Sequence, residues 1–503
     1  MKKPVLLVRA DASAQIGAGH LMRCRALAQA WQEDGGDAVV LSHRLSEEMA
    51  RQLREEGITA EEQPHPPGSE NDGSTTAERA RALGAQWTVA DSYEFGSRFF
   101  GQLQKSGTRV VTFDDEGKGD TAGTSLVLCP WRIGAEPQLD HLNGPSYALL
   151  RREFAAQLET PREIPVQARR FLITLGGGDP ENWTGRLLEA LTGPNSPLPS
   201  EAELVIVVGA ANPHTEALAG QLKALPFHAR IERATREMAR LLAWADLGVS
   251  ASGSTCWEIC ALGLPSLVLP LNSNQLPIAT GLASEGAAAN LGLAAHFDAP
   301  AFSSAVRTLA NDQHARSAMS LAGRRLVDGR GAARVVTQLK SKLIHLRPAA
   351  ADDIKLIWEW ANDPLVREAS FRSAPIPWED HQRWFTAQLA SPSTRFFVAE
   401  LEGQPVAQVR FSIEDTSAII SASLSAELRG RRLASAILVR AVREIFRSTV
   451  VKRIEALIKP GNTASLRAFT RAGFVRGEDT VAAGQIALQC ILERRDCPIH
   501  ERD

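Results

Sequence analysis

The chain has 503 residues, with 56 lysines and arginines against 58 aspartates and glutamates, and a formal net charge of −2. Hydrophobic residues make up 44% and charged residues 23%, which excludes a disordered tail or a fibrous repeat and predicts about three globular domains. Balanced charge argues against a nucleic-acid partner, because phosphate binding needs a clustered basic excess. The chain has no apolar run near the roughly 20 residues of a membrane segment. We therefore expect a cytoplasmic protein.

The six cysteines of this chain do not form a disulfide framework, since they are too few for its length. Cys256 and Cys260 share a predicted helical face, but no histidine or third cysteine stands nearby at ligand spacing. We predict that both are small core residues and that the chain binds no metal there.

The first part of the chain alternates short apolar runs with helical patterns. Strands are predicted at residues 5–8, 38–41, 87–90, 110–113 and 126–128. Between the first two, apolar residues recur every three or four positions from Leu21 to Trp31, as the buried face of a helix requires. This alternation predicts a parallel α/β sheet with helices on both faces.

A stretch rich in proline, glutamate and arginine, residues 159–165, interrupts this pattern and is typical of a linker. The alternation then resumes, with strands predicted at 171–175, 204–208, 247–250 and 266–269. The sequence therefore predicts two tandem doubly wound Rossmann-like domains, residues 1–155 and 168–340. Ligands are expected outside the carboxyl ends of their strands, in the cleft between the domains.

The third predicted domain, residues 343–503, has a different order of elements. It is predicted to contain a strand at 344–349, a helix around 357–360, a hairpin of 396–401 and 405–411, and strands at 419–424, 454–458 and 486–492. A long helix follows residue 432, and another spans 464–472. This order predicts a mixed α/β sheet.

His20 is the strongest candidate catalytic residue of the first domain. It ends the segment that joins the first strand to a helix, where Gly17 and Gly19 let a ligand approach the backbone. The positive end of a helix disfavours the imidazolium, so we expect a neutral ring that accepts a proton, as a general base acting on water requires. The spacing fits equally well a histidine that caps the helix or packs in the core.

Several loops of the second domain have the composition of a nucleotide site. Residues 252–255 are small or hydroxyl-bearing and open a helix, whose free N–H groups bind anions. Glu258, one turn further on, is placed to accept hydrogen bonds from ribose hydroxyls. A glycine triplet at 176–178 and polar residues at 272–275 follow other strands of the domain. Each loop alone is compatible with a turn and a helix cap, but together they predict a ligand site.

The segments Ile16–Arg23 and Ser252–Glu258 resemble the UDP-sugar hydrolases of pseudaminic acid biosynthesis, which are related to the two-domain GT-B glycosyltransferases. The segments Ala90–Tyr93, Phe113–Asp115 and Tyr147–Phe154 resemble the same family. The resemblance implies hydrolysis of UDP-2,4-diacetamido-2,4,6-trideoxy-β-L-altropyranose to UDP and the free sugar. Water attacks the anomeric carbon in that reaction, and His20 is the implied general base.

The resemblance also implies a set of binding residues. UDP is expected to contact Gly177, Gly178, Ser252, Gly253, Ser254, Thr255 and Glu258. The sugar is expected to contact Gly19, Arg23, Asp91, Tyr93, Asn274 and Gln275. A helix N-terminus stabilises a departing diphosphate without a metal, and the chain has no Asp-x-Asp pair, so we predict no metal. The main alternative within this fold is a glycosyltransferase, in which a sugar hydroxyl replaces water.

Residues 424–434 resemble the pyrophosphate loop of the GNAT acetyltransferases, and residues 462–474 resemble the next segment of that family. The segments Trp360–Arg367 and His381–Phe385 resemble the acetyltransferase that precedes the hydrolase in the same pathway. The resemblance implies transfer of an acetyl group from acetyl-CoA to the 4-amino group of a UDP-amino sugar. The residues implied to contact acetyl-CoA are Leu424, Arg429, Gly430, Arg431, Arg432, Leu433, Ala434 and Asn462.

Two positions depart from the GNAT pattern. Arg432 replaces the central glycine of the loop, and Phe469 stands where many relatives carry a tyrosine that protonates the departing thiolate. The only tyrosines of the chain are Tyr93 and Tyr147, so this domain has none. Water can serve as the acid, which predicts a bifunctional acetyltransferase and UDP-sugar hydrolase. The alternative is a GT-B glycosyltransferase with a non-catalytic GNAT module.

Overall fold

The structure is a computed structural model that describes residues 3–12, 19–115, 119–132, 140–177, 179–192, 196–209, 212–223, 225, 227–430 and 433–497. Its described residues fall into two compact units, one up to Ala333 and the other from Arg334 onward. No helix within the described ranges is long and apolar enough to span a bilayer.

The first sheet of the first unit is parallel. Its strands are β1 (Val5–Ala10), β2 (Asp37–Ser42), β3 (Thr59–Glu62), β4 (Ala85–Asp91), β5 (Arg109–Phe113), β6 (Leu126–Cys129) and β7 (His141–Asn143). The accompanying helices are α1 (Gly19–Glu33), α2 (Glu47–Glu55), α3 (Glu70–Leu83), α4 (Ser97–Lys105) and the short α5 (Ala155–Leu158). Every residue of β1 is buried, as expected for a strand covered by helices on both faces.

The strand order β3-β2-β1-β4-β5-β6-β7 reverses direction at β1, which places a crevice at the carboxyl ends of β1 and β4. The last paired residues of these strands are Ala10 and Asp91. Asp91 therefore lies beside the chain that leaves β1 toward α1. Local sequence also fixes the helices: the side chain of Ser69 caps the start of α3, and Gly84, with φ of 62°, ends that helix.

The second sheet is also parallel. Its strands are β8 (Arg170–Thr174), β9 (Glu203–Val208), β10 (His228–Arg233), β11 (Leu247–Ala251), β12 (Ser266–Leu269) and β13 (Ala289–Asn290), in the order β10-β9-β8-β11-β12-β13. The helices are α6 (Trp183–Thr192), α7 (Thr215–Leu222), α8 (Met238–Trp244), α9 (Thr255–Ala261), α10 (Leu276–Ser284), α11 (Ala299–Asn311), α12 (Gln313–Leu326) and α13 (Gly331–Ser341). The order reverses at β8, so the loops after β8 and β11 leave the sheet side by side, where Thr174 pairs with Ser250.

The second unit contains a mixed sheet. Its strands are β14 (Ile344–Pro348), β15 (Thr394–Leu401), β16 (Gln404–Glu414), β17 (Ser417–Leu424), β18 (Arg453–Ile458), β19 (Val475–Ala482) and β20 (Gln485–Glu493), in the order β14-β15-β16-β17-β18-β20-β19. The helices are α14 (Ile354–Ala361), α15 (Pro364–Ala369), α16 (Trp378–Ala390), α17 (Leu433–Ser448) and α18 (Thr463–Arg471). Only β17 and β18 pair in parallel; their neighbours are antiparallel.

The strands predicted from apolar runs are confirmed, with ends shifted by up to a few residues. The edge strands β3, β10 and β19 and the short strands β7 and β13 were not predicted. Edge strands such as β3 and β19 are largely exposed and therefore lack the apolar pattern of a central strand. The domain boundaries predicted at residues 155, 168, 340 and 343 stay predictions.

Hydrogen bonds to other helices hold residues 159–165, the segment predicted as a linker. The guanidinium of Arg162 donates to the backbone carbonyls of Leu262, Ala245 and Leu242, at the ends of α9 and α8. Arg316, from α12, donates to the carbonyl of Pro165. Since a guanidinium has five N–H donors, one arginine can satisfy several carbonyls at helix ends. The proline-rich composition of the segment does not predict these hydrogen bonds.

Candidate active sites

The first candidate site is built around His20 at the start of α1. The side chain is 9% exposed, and its Nδ1 lies 2.7 Å from Oδ1 of Asp91, at the end of β4. Gly19 precedes it, and a Cβ added there would meet nothing within 4 Å, so the backbone is open to a ligand. Gly17 lies outside the described residues. The contact with Asp91 gives the largely buried imidazole a polar partner, and the roles of His20 as a base, a helix cap or a core residue stay predictions.

Asp91 is held by Arg23, one turn after His20 on α1. Arg23 Nε donates to Asp91 Oδ2 at 2.5 Å, and Arg23 Nη2 donates to Oδ1 at 2.7 Å. Burial alone would raise the pKa of Asp91, but the charges and hydrogen bonds of Arg23 and His20 outweigh it and hold that pKa well below its usual range. Asp91 is therefore a carboxylate, and it fixes one edge of the imidazole ring.

Arg23 also holds a second carboxylate. Its Nη1 donates to Asp115 Oδ1 at 2.8 Å, and the hydroxyl of Tyr93 donates to Asp115 Oδ2 at 3.0 Å. The Tyr93 ring meets the His20 ring edge-on, with centroids 4.7 Å apart, and the tyrosine is 63% exposed. Tyr93 is thus the solvent-facing member of a chain of contacts that ends at the buried Asp91.

This arrangement suits proton transfer at His20 Nε2. When Nδ1–H donates to the Asp91 carboxylate, Nε2 is left with its lone pair, and the tautomer follows from that hydrogen bond. A carboxylate in that position also stabilises the imidazolium that forms when Nε2 takes a proton. The geometry can therefore perform general base catalysis.

The predicted sugar contacts of Arg23 and Asp91 stay predictions. In the structure, Asp91 contacts the His20 ring and Arg23 contacts Asp91, so both side chains position the imidazole. Sequence analysis assigned no role to Asp115, although the segment Phe113–Asp115 contributed to the family resemblance. No spacing rule reveals this residue, because 92 positions separate it from Arg23.

The second candidate site follows β11 and opens α9. Ser252 is fully buried, and its Oγ has no hydrogen-bond partner among the described residues. A Cβ added at Gly253 would meet nothing within 4 Å, so the backbone there is open. Ser254 and Thr255 follow at the helix start, and Glu258 lies one turn into α9. A buried hydroxyl without a partner is costly unless a ligand completes its hydrogen bonds.

The glycine loop after β8 lies close to the end of β9. A Cβ added at Gly209 would come within 2.1 Å of the Gly177 carbonyl oxygen, so the two backbones touch, and Gly176 has φ of 93°. Gly178 lies outside the described residues. After β12, Asn274 is exposed, while Gln275 Oε1 accepts a hydrogen bond from Leu271 N at 3.0 Å and so helps to hold its own loop.

The His20 site and α9 share one apolar cluster. The guanidinium of Arg23 stacks on Phe113 at 4.2 Å and on Trp131 at 5.1 Å. Trp131 lies in a buried cluster with Cys256 and Trp257 of α9. Arg23, which holds the partner of His20, is therefore connected through Trp131 to α9, the helix that follows the Ser252 loop.

The cysteines of α9 are core residues, as predicted. Cys256 and Cys260 are 0% and 2% exposed. Burial raises the pKa of Cys260 to about 12, so its thiol stays protonated at neutral pH.

The candidate site of the second unit is a wedge between β17 and β18. These strands pair only from Ser417 to Ile419, opposite Arg453 to Glu455. Beyond that point β17 stays with β16 and β18 stays with β20, so the two strands separate toward their carboxyl ends. In this gap the facing edges of the two strands form no strand pairing, so an extended ligand can bind there as an additional strand would.

The loop at the wide end of the wedge joins Leu424 to α17. Arg429 Nη1 lies 2.8 Å from Asp363 Oδ1, and Gly430 has φ of 78°, a conformation that favours glycine. Arg431 and Arg432 lie outside the described residues, and Leu433 and Ala434 begin α17. The loop thus precedes α17, a helix of 16 residues, and the free N–H groups of a helix N-terminus can bind anions.

Two further GNAT residues have structural partners. Asn462 caps α18, since its Oδ1 accepts a hydrogen bond from Ser465 N at 3.0 Å. Phe469 is 8% exposed, and its ring packs edge-on against Phe474 with centroids 5.0 Å apart. Phe469 is therefore a core residue, and its side chain has no proton to donate.

Two family models match the chain. Residues 187–325 match the Glycosyltransferase family 28 C-terminal domain, and residues 344–475 match the Acetyltransferase (GNAT) domain. With the two parallel sheets and the mixed sheet, these matches confirm the predicted fold class. The chain combines two GT-B-like doubly wound parallel sheets with a mixed α/β sheet in the part that matches the GNAT domain.

Individual relatives match parts of the chain. Over 197 residues, 39% of this chain and 57% of the relative, the chain is 31% identical to the spore coat polysaccharide biosynthesis protein SpsG of Bacillus subtilis. It is 35% identical, over 26% of this chain and 37% of the relative, to the UDP-N-acetylglucosamine--N-acetylmuramyl-(pentapeptide) pyrophosphoryl-undecaprenol N-acetylglucosamine transferase of Ectopseudomonas mendocina. The match thus spans less than two thirds of either relative. A crystal structure of Acinetobacter baumannii MurG aligns at 18% identity over 67% of this chain and 99% of that chain, with a TM-score of 0.48.

Proposed function

We propose that the first unit hydrolyses UDP-2,4-diacetamido-2,4,6-trideoxy-β-L-altropyranose, with His20 as the general base. We propose that the GNAT domain acetylates the 4-amino group of the UDP-amino-sugar precursor with acetyl-CoA. The observation that carries the first part is the 2.7 Å contact between His20 Nδ1 and Asp91 Oδ1. The choice of sugar rests on the family resemblance of the sequence.

In the proposed hydrolysis, a water oxygen attacks the anomeric carbon while His20 Nε2 takes a proton from that water. The bond between the anomeric carbon and the diphosphate oxygen breaks, and its electron pair leaves with UDP. The Asp91 carboxylate stabilises the imidazolium, and Tyr93, at the exposed side of the ring, contacts the sugar.

UDP binding is assigned to Gly177, Gly178 and the loop from Ser252 to Thr255, with Glu258 accepting from the ribose. The buried hydroxyl of Ser252 and the open backbone at Gly253 support this assignment. Backbone N–H groups of the loop would stabilise charge on the departing diphosphate. We propose that no metal is needed, because the chain lacks an Asp-x-Asp pair.

In the proposed acetyl transfer, the amine nitrogen attacks the thioester carbonyl carbon, and the carbon–sulfur bond breaks. The nitrogen loses a proton, and the coenzyme A thiolate gains one from water, since the packed Phe469 has no proton to give. The loop from Leu424 to Ala434 would bind the diphosphate of acetyl-CoA at the start of α17. A thiolate is a good leaving group, so a weak acid is sufficient.

The second candidate function is a GT-B glycosyltransferase with a non-catalytic GNAT module. The match to family 28 and the 35% identity to a transferase favour it. In that reaction a sugar hydroxyl takes the place of water, and His20 would remove its proton. The two functions differ in whether UDP is released when no acceptor is present.

Product analysis in heavy-oxygen water tests the hydrolase proposal. The native protein is incubated with candidate UDP-diacetamido sugars, and both products are examined by mass spectrometry. We expect the label in the free sugar and none in UDP, because water attacks carbon. Label in UDP, or no release of UDP until an acceptor sugar is added, contradicts the proposal.

A further inference from the structure

A buried arginine contacts the carboxylate proposed to bind the ribose. Arg151 Nη2 donates to Glu258 Oε1 at 2.8 Å, and both side chains are largely covered, with 13% and 15% exposed. Arg151 Nη1 lies 2.8 Å from Glu153 Oε1. Arg151 precedes the second sheet in the sequence, whereas Glu258 lies on α9, beyond β11. Sequence analysis assigned no role to Arg151.

The backbone beside Arg151 is fixed on two sides. Phe154, three residues on, is fully buried in the cluster that contains Leu172 and Ile259. Arg152 N donates to Oε1 of Gln29 at 2.8 Å, and Gln29 is a buried residue of α1. Arg151 is therefore fixed both to the second sheet and to the helix that begins beside His20.

The contact leaves part of Glu258 available. Arg151 engages Oε1, and Oε2 accepts no hydrogen bond from the part of the chain that the structure describes. A guanidinium holds a carboxylate in a defined orientation because its donors are planar and rigid. Burial would lower the pKa of Arg151, but Glu258 and Glu153 outweigh it and raise that pKa, so the cation persists.

We propose that Arg151 is a positioning residue for nucleotide binding: it holds Glu258 so that the carboxylate faces the ribose hydroxyls. This inference rests on the proposed function, because it assumes that Glu258 binds the ribose of UDP. It also gives that site a fixed position relative to α1, and so relative to His20. Arg151 itself does not touch the nucleotide.

A comparison of two nucleotides tests this role. Calorimetry measures the Kd of UDP and of 2′,3′-dideoxyuridine diphosphate for the native protein, Arg151→Met, Glu258→Gln and the double variant. We expect Arg151→Met to weaken UDP binding about tenfold, the size expected for a hydrogen bond to a charged group, and to change the dideoxy analogue less than about twofold. The double variant should bind UDP no more weakly than Glu258→Gln, because both changes remove one interaction.

Two further variants separate positioning from general damage. Arg151→Lys keeps the charge but loses the planar fork, so it should restore part of the UDP affinity that Arg151→Met loses. Arg152→Met is the matched control, since the Arg152 side chain is half-exposed and pairs with Glu33 on the surface. It should bind both nucleotides as the native protein does, and thermal melting confirms that each variant is folded.

Three results would overturn the inference. One is UDP binding by Arg151→Met equal to native binding, and another is equal weakening of UDP and the dideoxy analogue, which indicates a structural role. Both leave the proposed function intact, because the native protein still binds UDP. No binding of UDP by the native protein would reject the nucleotide site itself, and with it the role of Arg151.

Discussion

The two candidate catalytic centres differ in how firmly their polar groups are held. At His20, buried charges are already paired: Arg23 contacts both Asp91 and Asp115, and Asp91 contacts the imidazole. In the GNAT wedge, the loop residue Arg429 is 28% exposed, and the nearby Glu427 is exposed as well. The buried ring of Phe469 occupies the position of the expected acid.

This difference matches what the two proposed reactions require. Activation of water needs a base held in one tautomer and one orientation, and buried partners supply both. Acetyl transfer to an amine depends mainly on bringing the amine to the thioester, and backbone groups can bind the coenzyme. We infer that activity of the first unit depends on single side chains more steeply than activity of the GNAT domain does.

The largest expected effect comes from Asp91→Asn. The amide cannot hold the imidazole in the same tautomer or stabilise the imidazolium, so kcat for UDP release should fall by roughly 10²–10⁴-fold. Steady-state kinetics measures this, with UDP affinity as the control, which should change little. A loss of less than about tenfold would show that His20 does not depend on Asp91.

Arg23→Met tests the comparison of the two sites by its effect on the stability of the first unit. The change leaves the buried Asp91 and the partly exposed Asp115 without their cation, which should cost about 3–5 kcal/mol in the free energy of unfolding, mostly through Asp91. Urea denaturation measures the loss. Arg51→Met, which removes a surface arginine paired with Glu48, is the control and should cost less than about 1 kcal/mol. Similar losses in both variants would contradict a special role for Arg23.

Asp91 also predicts a pH dependence. Its pKa in the folded protein lies below the ordinary value of about 3.9, so the carboxylate contributes stability that is present above that value and lost as the pH falls below it. Urea denaturation between pH 7 and pH 3 should show a steeper loss for the native protein than for Asp91→Asn. Equal slopes would mean that Asp91 is not held as a carboxylate.

Smaller effects are expected in the GNAT domain. Arg429→Met should weaken acetyl-CoA binding about tenfold, since it removes one cation from the proposed diphosphate loop.

Asp363→Asn removes the partner of Arg429, and because that ion pair is partly exposed it should cost less than about 1 kcal/mol of stability. Calorimetry and denaturation measure the two effects. Absence of acetyl-CoA binding by the native protein would favour the non-catalytic module.

Much of the fold follows from local sequence pattern. The central strands of both parallel sheets contain buried apolar runs, and their alternation with helices predicts parallel sheets. The edge strand Thr59–Glu62 has no such pattern, because its side chains are exposed or half-buried. The segment around Arg162 has the composition of a linker, and only the folded chain brings it to the ends of α8 and α9.

The candidate site was less predictable than the fold. The position of His20 follows from its place after the first strand, but its partner Asp91 lies 71 residues away, at the end of β4. The contacts of Asp115 and Arg151 depend on tertiary packing, so no spacing in the sequence indicates them. The proposed reaction rests on the family resemblance, and the contacts of His20 come from the structure.

Turnover and UDP binding by His20→Ala provide the most direct test of the central claim. We predict that UDP release from the UDP-diacetamido sugar falls by at least about a hundredfold, while the Kd for UDP stays within about threefold of the native value. This combination identifies His20 as a group that acts in the transition state. UDP release at the native rate in this variant would contradict the proposal that His20 is the base.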